Sequence, residues 1–438
     1  MKIRVSTIAL LLASFIAQAQ DETDAILFSQ TQAGTTARSM AIGGALGSIG
    51  ADFAALNINP AGLGRYSKDE ITFTPAFNGY RTPASLNANK ISSNNNKLNL
   101  QNVGWVTANR NEKSRGARSS GFALGINRLA DFNRDYEYSG TTKHSSMMDA
   151  VAARINDAGG SNYIISSTPY LEDVMAFNSY LIDADPNNTS KVRSYVPLDN
   201  LEQRKVVSTR GGINELTMGL GANFNDNIYF GASIGLPFTR YENNSTYSET
   251  DVSGNLTNQF NYFQQDVFRS TSGLGFNAKI GLVFLPKESP WRIGAALHTP
   301  TWHNLRDEYR FRIKGDLENV GTPVPRLFDI GDVTGVDSRF ALISDYSLNT
   351  PLKGVLSASY VVGKSGFITA DVDVVNYKSA RIKYDNDPAY SRLMQQVITN
   401  EHRIAPNVRL GAEARAGNIS FRGGAAAFGS PYARDSKY

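Results

Sequence analysis

The feature that most constrains this chain is a period-two alternation of side chains that recurs from residue 70 to the C terminus. Residues 274–284 show it clearly. One face carries Leu274, Phe276, Ala278, Ile280, Leu282 and Phe284, and the other carries Gly275, Asn277, Lys279 and Gly281. Such alternation predicts β-strands with one apolar face, and it occurs in soluble sandwiches as well as in membrane barrels.

The connections between the predicted strands separate these two classes. About eleven strands can be placed, at 70–79, 98–109, 119–139, 206–225, 228–248, 265–286, 290–315, 343–363, 366–385, 405–416 and 418–430. Even-numbered strands end in tight turns, whereas odd-numbered strands end in long loops, the longest at 140–205. Short turns at one rim and long loops at the other are typical of outer-membrane barrels. The sequence therefore predicts an all-β fold, a transmembrane antiparallel β-barrel.

The strand count is odd, and the chain stops after a strand that should lead into a long loop. Single-chain bacterial barrels have an even number of strands. We therefore expect the barrel to lack its C-terminal strands, about three of them.

Three segments follow from these patterns. Residues 1–19 have a basic start, an apolar run and a small-residue cleavage site, which predicts a signal peptide. Residues 20–68 contain a non-periodic, Gly- and Ala-rich stretch, predicted to form a hatch that plugs the lumen. Residues 69–438 form the predicted barrel. The signal peptide predicts export and, with the barrel, the bacterial outer membrane as location.

The third predicted strand changes phase in the middle. Its apolar face breaks at Asn127, Arg128, Leu129, Ala130 and Asp131 before the alternation resumes. A phase slip of this kind predicts a bulge or kink. An ordinary bulge at the barrel rim is the alternative interpretation, since bulges concentrate there as well as at functional sites.

Two long loops contain apolar residues at helical spacing. The loop at 140–205 carries two such sets: Met147, Val151 and Ile155, then Leu171, Val174 and Met175. We predict short amphipathic helices in these extracellular loops, where a ligand would first arrive. The alternative is that their apolar faces only pack on the barrel mouth.

Several functional classes find no support. The net charge of +4 is spread along the chain without a basic cluster, so nucleic acid is not expected as a partner. The four histidines have no ligand spacing and there is no Cys, so neither a metal nor any other cofactor is predicted. Residues 231–235 match the nucleophile-elbow letters, but Ser233 lies inside an alternating strand with no helix after it. We therefore predict no catalytic residue and no enzyme.

Several charged residues fall on inward positions of the predicted strands, and four cations among them are candidate ligands for a head group: Lys279, Arg409, Arg415 and Arg422. Ion pairing with neighbouring acids and with the hatch is one interpretation. The other is that they receive the carboxylate head group of a ligand by bidentate hydrogen bonds.

The stretch before the barrel resembles a known family. The run Arg38 to Ala45, which contains Gly43 and Gly44, and the later Asn59, Pro60 and Ala61 are similar to the hatch of the FadL/TodX outer-membrane transporters of hydrophobic compounds, in the Bacteroidota branch. The resemblance implies a fourteen-stranded barrel plugged by the hatch. It also implies capture of ligand at the loop helices, passage to an inner site, and lateral release where the third strand kinks. We expect the Asn59–Pro60–Ala61 turn to lie against that kink and keep it open.

Two functions follow. The first is passive outer-membrane transport of long-chain fatty acids or other hydrophobic small molecules, with a fatty acid-like ligand and outer-membrane lipid as partners. The second is an outer-membrane scaffold or shuttle, similar to the PorV-type barrels of a secretion system, whose loop helices would bind secreted proteins.

Overall fold

A computed structural model describes residues 22–32, 34–87, 89–110, 116–166, 170–255, 257–317, 326–329 and 342–434. The predicted signal peptide lies outside these residues. Sixteen strands join in one antiparallel sheet, and two more form a separate hairpin. The predicted all-β class is confirmed.

The strands are β1 Glu70–Leu86, β2 Asn89–Arg110, β3 Ala117–Asp131, β4 Arg134–Thr142, β5 Ile182–Asp185, β6 Asn188–Ser194, β7 Leu201–Phe224, β8 Ile228–Asp251, β9 Tyr262–Phe284, β10 Trp291–His298, β11 Trp302–Asp316, β12 Arg326–Asp329, β13 Leu342–Asn349, β14 Lys353–Val362, β15 Gly366–Asn376, β16 Arg381–Lys383, β17 Ile404–Ala416 and β18 Ile419–Phe428. The helices are α1 Glu22–Leu27, α2 Ala37–Ala41, α3 Ala55–Ile58, α4 Met147–Ala158, α5 Ser161–Ser166, α6 Leu171–Asn178 and α7 Pro388–Glu401, with 3-10 turns at Pro60–Arg65 and Tyr377–Ser379.

Neighbouring strands follow the chain around the sheet in the order β1-β2-β3-β7-β8-β9-β10-β14-β15-β17-β18. Short breaks divide four of the long strands. Across these breaks β3 continues as β4, β10 as β11, β13 as β14 and β15 as β16. The breaks at 299–301 and 350–352 contain Pro300 and Pro351, which have no backbone N–H to donate to a ladder. The wall therefore bends at about mid-height along several neighbouring strands.

One predicted loop is absent from the fold. The residues between the first two predicted strands, 80–97, were expected to form a long loop, yet β1 continues to Leu86 and β2 begins at Asn89. The two strands pair along this whole length, and Asn87 turns the chain with φ 55°. A Ser- and Asn-rich stretch can therefore form a fully paired hairpin and need not be a loop.

The lower halves of the strands, toward the tight turns, are apolar outside. Leu220 is 62% exposed, Leu274 58%, Leu356 65% and Ile368 63%. Their inward neighbours are buried, or half-buried in the case of Leu274. None of the helices in the described ranges combines the length and apolarity needed to cross a membrane.

Residues 34–66 fill the lumen at this height, and we call them the hatch. Glycines on the inner face of the wall make room for it. An added Cβ would overlap the Phe53 ring at Gly104 and Gly125, and the Ile42 backbone at Gly424. At these glycines the hatch packs directly against wall backbone.

Candidate functional site

A cavity of about 830 Å³ lies inside the wall, on the loop side of the hatch. Its base is formed by Asn57 and Ile58 of the hatch and by charged wall residues. Its upper boundary is formed by Leu27, the last residue of α1, and by residues 29–32 of the segment that follows α1. Apolar side chains line much of the upper wall, among them Leu129, Phe132, Val207 and Tyr241.

The base of the cavity carries two buried ion pairs. Lys279 Nζ donates to Glu215 Oε1 at 2.8 Å, and Arg409 holds Asp373 through two hydrogen bonds of 2.6 and 2.5 Å. His298 Nε2 lies 3.0 Å from the carbonyl of Ile58, which ties the base to the hatch. Paired in this way, these charges offset much of the cost of burying them.

A third cation at the base is left over. Lys353 is half-buried and lines the cavity. Its ammonium group has no ion-pair or hydrogen-bond partner in the parts of the chain that the structure describes. Lys279 and Arg409 contact three carboxylates between them, Glu215, Asp373 and, at 3.7 Å from Arg409, Asp371. Lys353 contacts none of these and is the cation at the base with a free set of donors among the described residues.

The four cations predicted as head-group ligands divide into two groups. Lys279 and Arg409 line the cavity, each already paired. Arg415 and Arg422 lie near the tight-turn end of the wall, where both donate to Glu413, at 2.6 and 2.7 Å. The structure therefore brings two of the four together with the cavity, and their role as ligands stays a prediction.

An aromatic cluster closes the upper wall beside the kink. The rings of Phe28, Phe132 and Tyr241 meet edge to face, with centroid separations of 5.4 to 6.1 Å. Phe28 comes from the segment after α1, whereas Phe132 lies in the break between β3 and β4. α1 is itself held by Asp24, which accepts two hydrogen bonds from Arg269 at 2.9 and 2.6 Å. Arg269 also donates to Asp307 at 3.0 Å.

The predicted phase break is a real interruption of the wall. β3 ends at Asp131, its register with β7 shifts between Arg128 and Ala130, and β4 resumes at Arg134. The β2–β3 ladder runs only from Arg110 to Asn102, which pairs with Asn127. Beyond it, β4 pairs with β7 and the rest of β2 pairs with β1, as far as the described residues show. A gap without backbone hydrogen bonds thus separates β2 from β4.

Side chains bridge this gap. Asn95 donates to Asp135 at 2.6 Å, Asn99 donates to Asp131 at 2.6 Å, and Asn89 donates to Ser139 at 3.0 Å. We call these contacts the amide seam. Asp131 also lines the cavity, so the seam stands between the cavity and the outside of the wall.

The hatch turn does not lie where we expected. Asn59 Nδ2 donates to the carbonyls of Gly47 and Leu282, at 2.7 and 3.1 Å, and its Oδ1 accepts the Ala61 N–H. Pro60 lies against Gly231. These partners belong to the hatch, β8 and β9, so the prediction that the turn rests on the kink is wrong. The Oδ1 atom of Asn59 thus stabilises the turn, and its Nδ2 atom holds the turn against β9.

The segment after α1 borders the kink instead. Gln32 N–H donates to the Leu129 carbonyl at 2.7 Å, and the side chains of Gln101 and Gln32 are 3.2 Å apart. Gly43 and Gly44 lie at the opposite side of the hatch, where Gly43 touches the backbone of Ala425 in β18. Both have positive φ, 64° and 77°, which glycine adopts without strain.

One carboxyl group organises the hatch internally. Asp52 Oδ1 accepts from the Thr36 hydroxyl at 2.7 Å and from the Ala54 N–H at 2.9 Å. Burial raises the pKa of Asp52, and these two hydrogen bonds oppose the shift. The contacts join the start of α2 to the start of α3.

The loop helices form as predicted, and most of their apolar residues are packed. Val151, Ile155 and Met175 are buried in one cluster with Phe263 of β9 and Phe311 of β11. Met147 and Leu171 pack on the edge of this cluster, and Val174 is half-buried. Glu249 of β8 fixes α4 by accepting from Ser146 Oγ and Met147 N–H at 2.5 and 2.7 Å. None of the six residues predicted for ligand capture lines the cavity. Their role in capture stays a prediction.

The sequence matches no protein-family model and no curated protein. Among solved structures, the chain is similar to the Pseudomonas putida toluene transporter TodX, at 12% identity, 89% of this chain, 82% of that chain and TM-score 0.46. A CymD monoaromatic hydrocarbon channel matches at 12% identity, 91% and 85% coverage, and TM-score 0.46. A FadL homologue of Pseudomonas aeruginosa matches at 13% identity, 92% and 81% coverage, and TM-score 0.46. These are proteins of the FadL/TodX type that the hatch sequence resembles, and at such identities the likeness concerns the fold alone.

Sequence reasoning missed Phe28, the asparagines of the amide seam and the role of Lys353. The alternation at 352–362 places Lys353 on the inner face, but nothing in the sequence distinguishes it from the other inward charges. The seam was hidden because residues 92–96 were taken for loop. Their run of Ser and Asn, facing Asp131 and Asp135, is the signal that would have found it.

Proposed function

We propose that this protein is a passive outer-membrane channel for hydrophobic small molecules with a polar end, long-chain fatty acids being the ligand that fits best. The exposed apolar surface of the lower wall supports placement in lipid, since a water-soluble monomer rarely exposes so large an apolar area. In this proposal residues 1–19 direct export. Residues 20–68, which contain the hatch, plug the lumen.

The cavity carries the proposal. Apolar side chains line much of its upper wall, and its base holds Lys353, whose ammonium group makes no hydrogen bond or ion-pair contact in the described residues. A molecule with an apolar tail and one carboxylate complements both parts. Charge-assisted hydrogen bonds contribute about 1.5–3 kcal/mol each, which is enough to favour an anionic ligand over a neutral hydrocarbon of the same length.

Release is proposed to occur sideways, between β2 and β4. Lipid cannot satisfy backbone hydrogen bonds, so a wall in a membrane keeps its ladder paired except where a special function requires a break. Here the break lies next to the cavity and only side chains close it. A tail that leaves by this path enters the bilayer without crossing water.

Binding and uptake of labelled oleate, by the purified protein and by proteoliposomes, test the proposal. Lys353→Met should weaken oleate binding about tenfold or more, because one charge-assisted contact is lost. Binding of methyl oleate, which has no charge, should stay the same. Lys364→Met is the matched control, since Lys364 is exposed in the turn after β14. Equal affinities of wild type and Lys353→Met for oleate would show that Lys353 does not bind the ligand. Absence of any oleate uptake would contradict the proposed transport function.

A further inference from the structure

The upper part of the β1–β2 hairpin is bound by a backbone ladder only to itself. Lower down, β2 pairs with β1 on one side and with β3 on the other, and the β2–β3 ladder ends where Asn102 faces Asn127. Beyond that point β1 and β2 pair with each other as far as Leu86 and Asn89, and no third strand joins them in the described ranges. Residues 75–87 and 89–100 therefore project as a two-stranded unit, which we call the ribbon.

A bulge separates the ribbon from the wall below it. The register of β1 against β2 shifts between Thr74 and Pro75, which leaves Gln101 of β2 as an extra residue. An extra residue bends the strand that contains it and increases the local twist. Gln101 Nε2 donates to the carbonyl of Arg128 at 3.2 Å, so the bulge lies beside the break in β3. Both β2 and β3 thus depart from regular pairing at the same height.

One face of the ribbon lies on β4. Alternate residues of a strand share a face, and the register of the hairpin puts Tyr80 opposite Asn95 on this face. The guanidinium of Arg134 lies over the Tyr80 ring, 3.4 Å from the centroid. The hydrogen bonds of the amide seam come from the same face, and Asn78 donates a further one to Asp131 at 3.1 Å. Because both strands of the hairpin take part, the ribbon covers β4 instead of lying beside it.

The same face of the ribbon borders the cavity. Thr82 belongs to this face and lines the cavity together with Arg134 and Tyr136 of β4. The opposite face of the ribbon, which includes Asn94 and Asn96, is exposed. At the gap between β2 and β4, the ribbon therefore lies between the upper cavity and the outside.

Separating the ribbon from β4 breaks no backbone ladder among the described residues. The contacts that join them are made by side chains, and most are hydrogen bonds between amides and carboxylates. Water replaces such hydrogen bonds at a small net cost. The ladder between β1 and β2 stays intact in this movement, and the bulge at Gln101 is the point about which the ribbon can turn.

We propose that the ribbon is a flap, which turns about the bulge at Gln101 and uncovers the gap between β2 and β4. In the closed position the flap separates the cavity from its surroundings. In the open position an apolar tail can pass between the two strands. The role of the flap in ligand release rests on the proposed transport function, whereas the movement itself does not.

Two spin labels measure the movement in the purified full chain, which has no native cysteine. Ser85→Cys places one label on the exposed face of the ribbon near its tip, and Arg240→Cys places the other on the outside of β8. Adding Asn95→Ala and Asn99→Ala removes two contacts with the wall. The population at longer distances should then rise about tenfold, because each lost hydrogen bond favours the open position. A distance distribution that these two substitutions leave unchanged overturns the flap.

The matched control uses asparagines on the other face of the same strand. Asn94→Ala with Asn96→Ala alters two exposed residues that alternate with Asn95, so the distances should stay as in the labelled parent protein. Equal changes in both double variants would mean that the ribbon itself has lost its structure, which contradicts movement as a flap.

Hydrogen exchange of the wild type tests the same movement without any substitution. The ladder-paired amides of residues 89–100 should exchange about tenfold or more faster than those of residues 102–110, which also pair with β3. Equal protection along the whole of β2 overturns the flap, even where the alanine variants fail to fold.

Transport is scored separately from movement. Oleate should dissociate several times faster from the variant with Asn95→Ala and Asn99→Ala than from its matched control. If the labels move apart but no oleate is bound or taken up, the transport function is contradicted and the movement stands. If oleate is taken up while the label distance stays fixed in every variant, transport stands and the flap is overturned.

Discussion

At the scale of single residues, glycine decides how the hatch fits. Gly281 of β9 faces Asn59, and an added Cβ there would overlap Asn59 Oδ1. An added Cβ at Gly231 of β8 would likewise overlap the backbone of Pro60. The alternation in the sequence places both on the inner face, so their position could be predicted. Their partners could not, because period two says which face a residue occupies and nothing about what lies opposite.

Gly281→Val should displace the Asn59 turn and loosen the hatch. Inserting side-chain atoms into a packed interior costs about 1–3 kcal/mol, and here it also breaks the hydrogen bond from Asn59 to the Leu282 carbonyl. The thermal midpoint should fall and limited proteolysis within residues 34–66 should become faster. Gly354→Val is the matched control, since nothing lies within 4 Å of an added Cβ there. Equal behaviour of both variants would mean that Asn59 does not hold the turn in place.

Single charges behave differently from glycines. Lys279 and Arg409 could be placed on the inner face from the sequence, but pairing with Glu215 and Asp373 could not be read from it, because these partners are 64 and 36 residues away. Lys353 shows the same limit of sequence-based prediction. Whether a charged residue has a partner depends on the neighbours that the fold brings close to it, and the sequence does not show these neighbours.

At the scale of elements, the sequence predicted the strands better than their ends. The tight turns at 225–227, 364–365 and 417–418 were placed correctly between strands from their Asn, Asp, Gly and Ser residues. The β1–β2 hairpin was misread because polar sequence was equated with loop. The loop helices were found through their spacing. α7 begins with Asp387 as its cap and Pro388 in its first turn, and the cap itself was not predicted. α1 was not predicted, since six residues are too few for a periodic signal.

α1 is the element through which the mouth of the cavity can be tested. Asp24 is 1% exposed and its carboxylate is shared with Arg269. Breaking a buried pair costs about 3–5 kcal/mol, and the remaining Asp307 partner reduces this. Asp24→Asn should therefore free the segment from α1 to Gln32, with faster proteolysis there and faster oleate binding.

The control for Asp24→Asn is Asp345→Asn. Asp345 pairs with Arg306 on the surface, at 2.8 Å, where an ion pair contributes about 0–1 kcal/mol. It should alter neither proteolysis nor binding. If Asp24→Asn leaves the association rate of oleate unchanged while proteolysis increases, α1 moves without controlling entry.

At the scale of the whole molecule, the wall, the hatch and the segment after α1 all line the cavity, and the amide seam is the part of the neighbouring wall that only side chains hold together. The two ends of the sheet, β1 and β18, do not pair with each other in the described residues, so the sheet curls around the cavity without closing. The barrel class was predicted from the alternation, and the phase break at 127–131 from one of the places where the alternation fails. Which strand lies across the resulting gap could not be predicted, because it depends on which strands stop pairing, and the register of β2 against β3 is a property of the assembled sheet.

The chain has no cysteine, so the seam can be cross-linked selectively. Asn95→Cys combined with Asp135→Cys places two thiols across the gap, where the native side chains meet at 2.6 Å. A short, reducible bis-methanethiosulfonate linker should join β2 to β4 and block oleate uptake, and reduction should restore it. Oleate binding should persist while the linker is in place, because the cavity itself is unchanged.

The matched control joins strands that are already paired. Arg81→Cys with Asn94→Cys lies on the β1–β2 ladder, and the same linker there should leave uptake unchanged. Uptake that continues through a protein fully cross-linked between β2 and β4 would show that the ligand passes the hatch instead. In that case Gly281→Val, which loosens the hatch, should increase uptake, whereas release through the seam predicts that it does not.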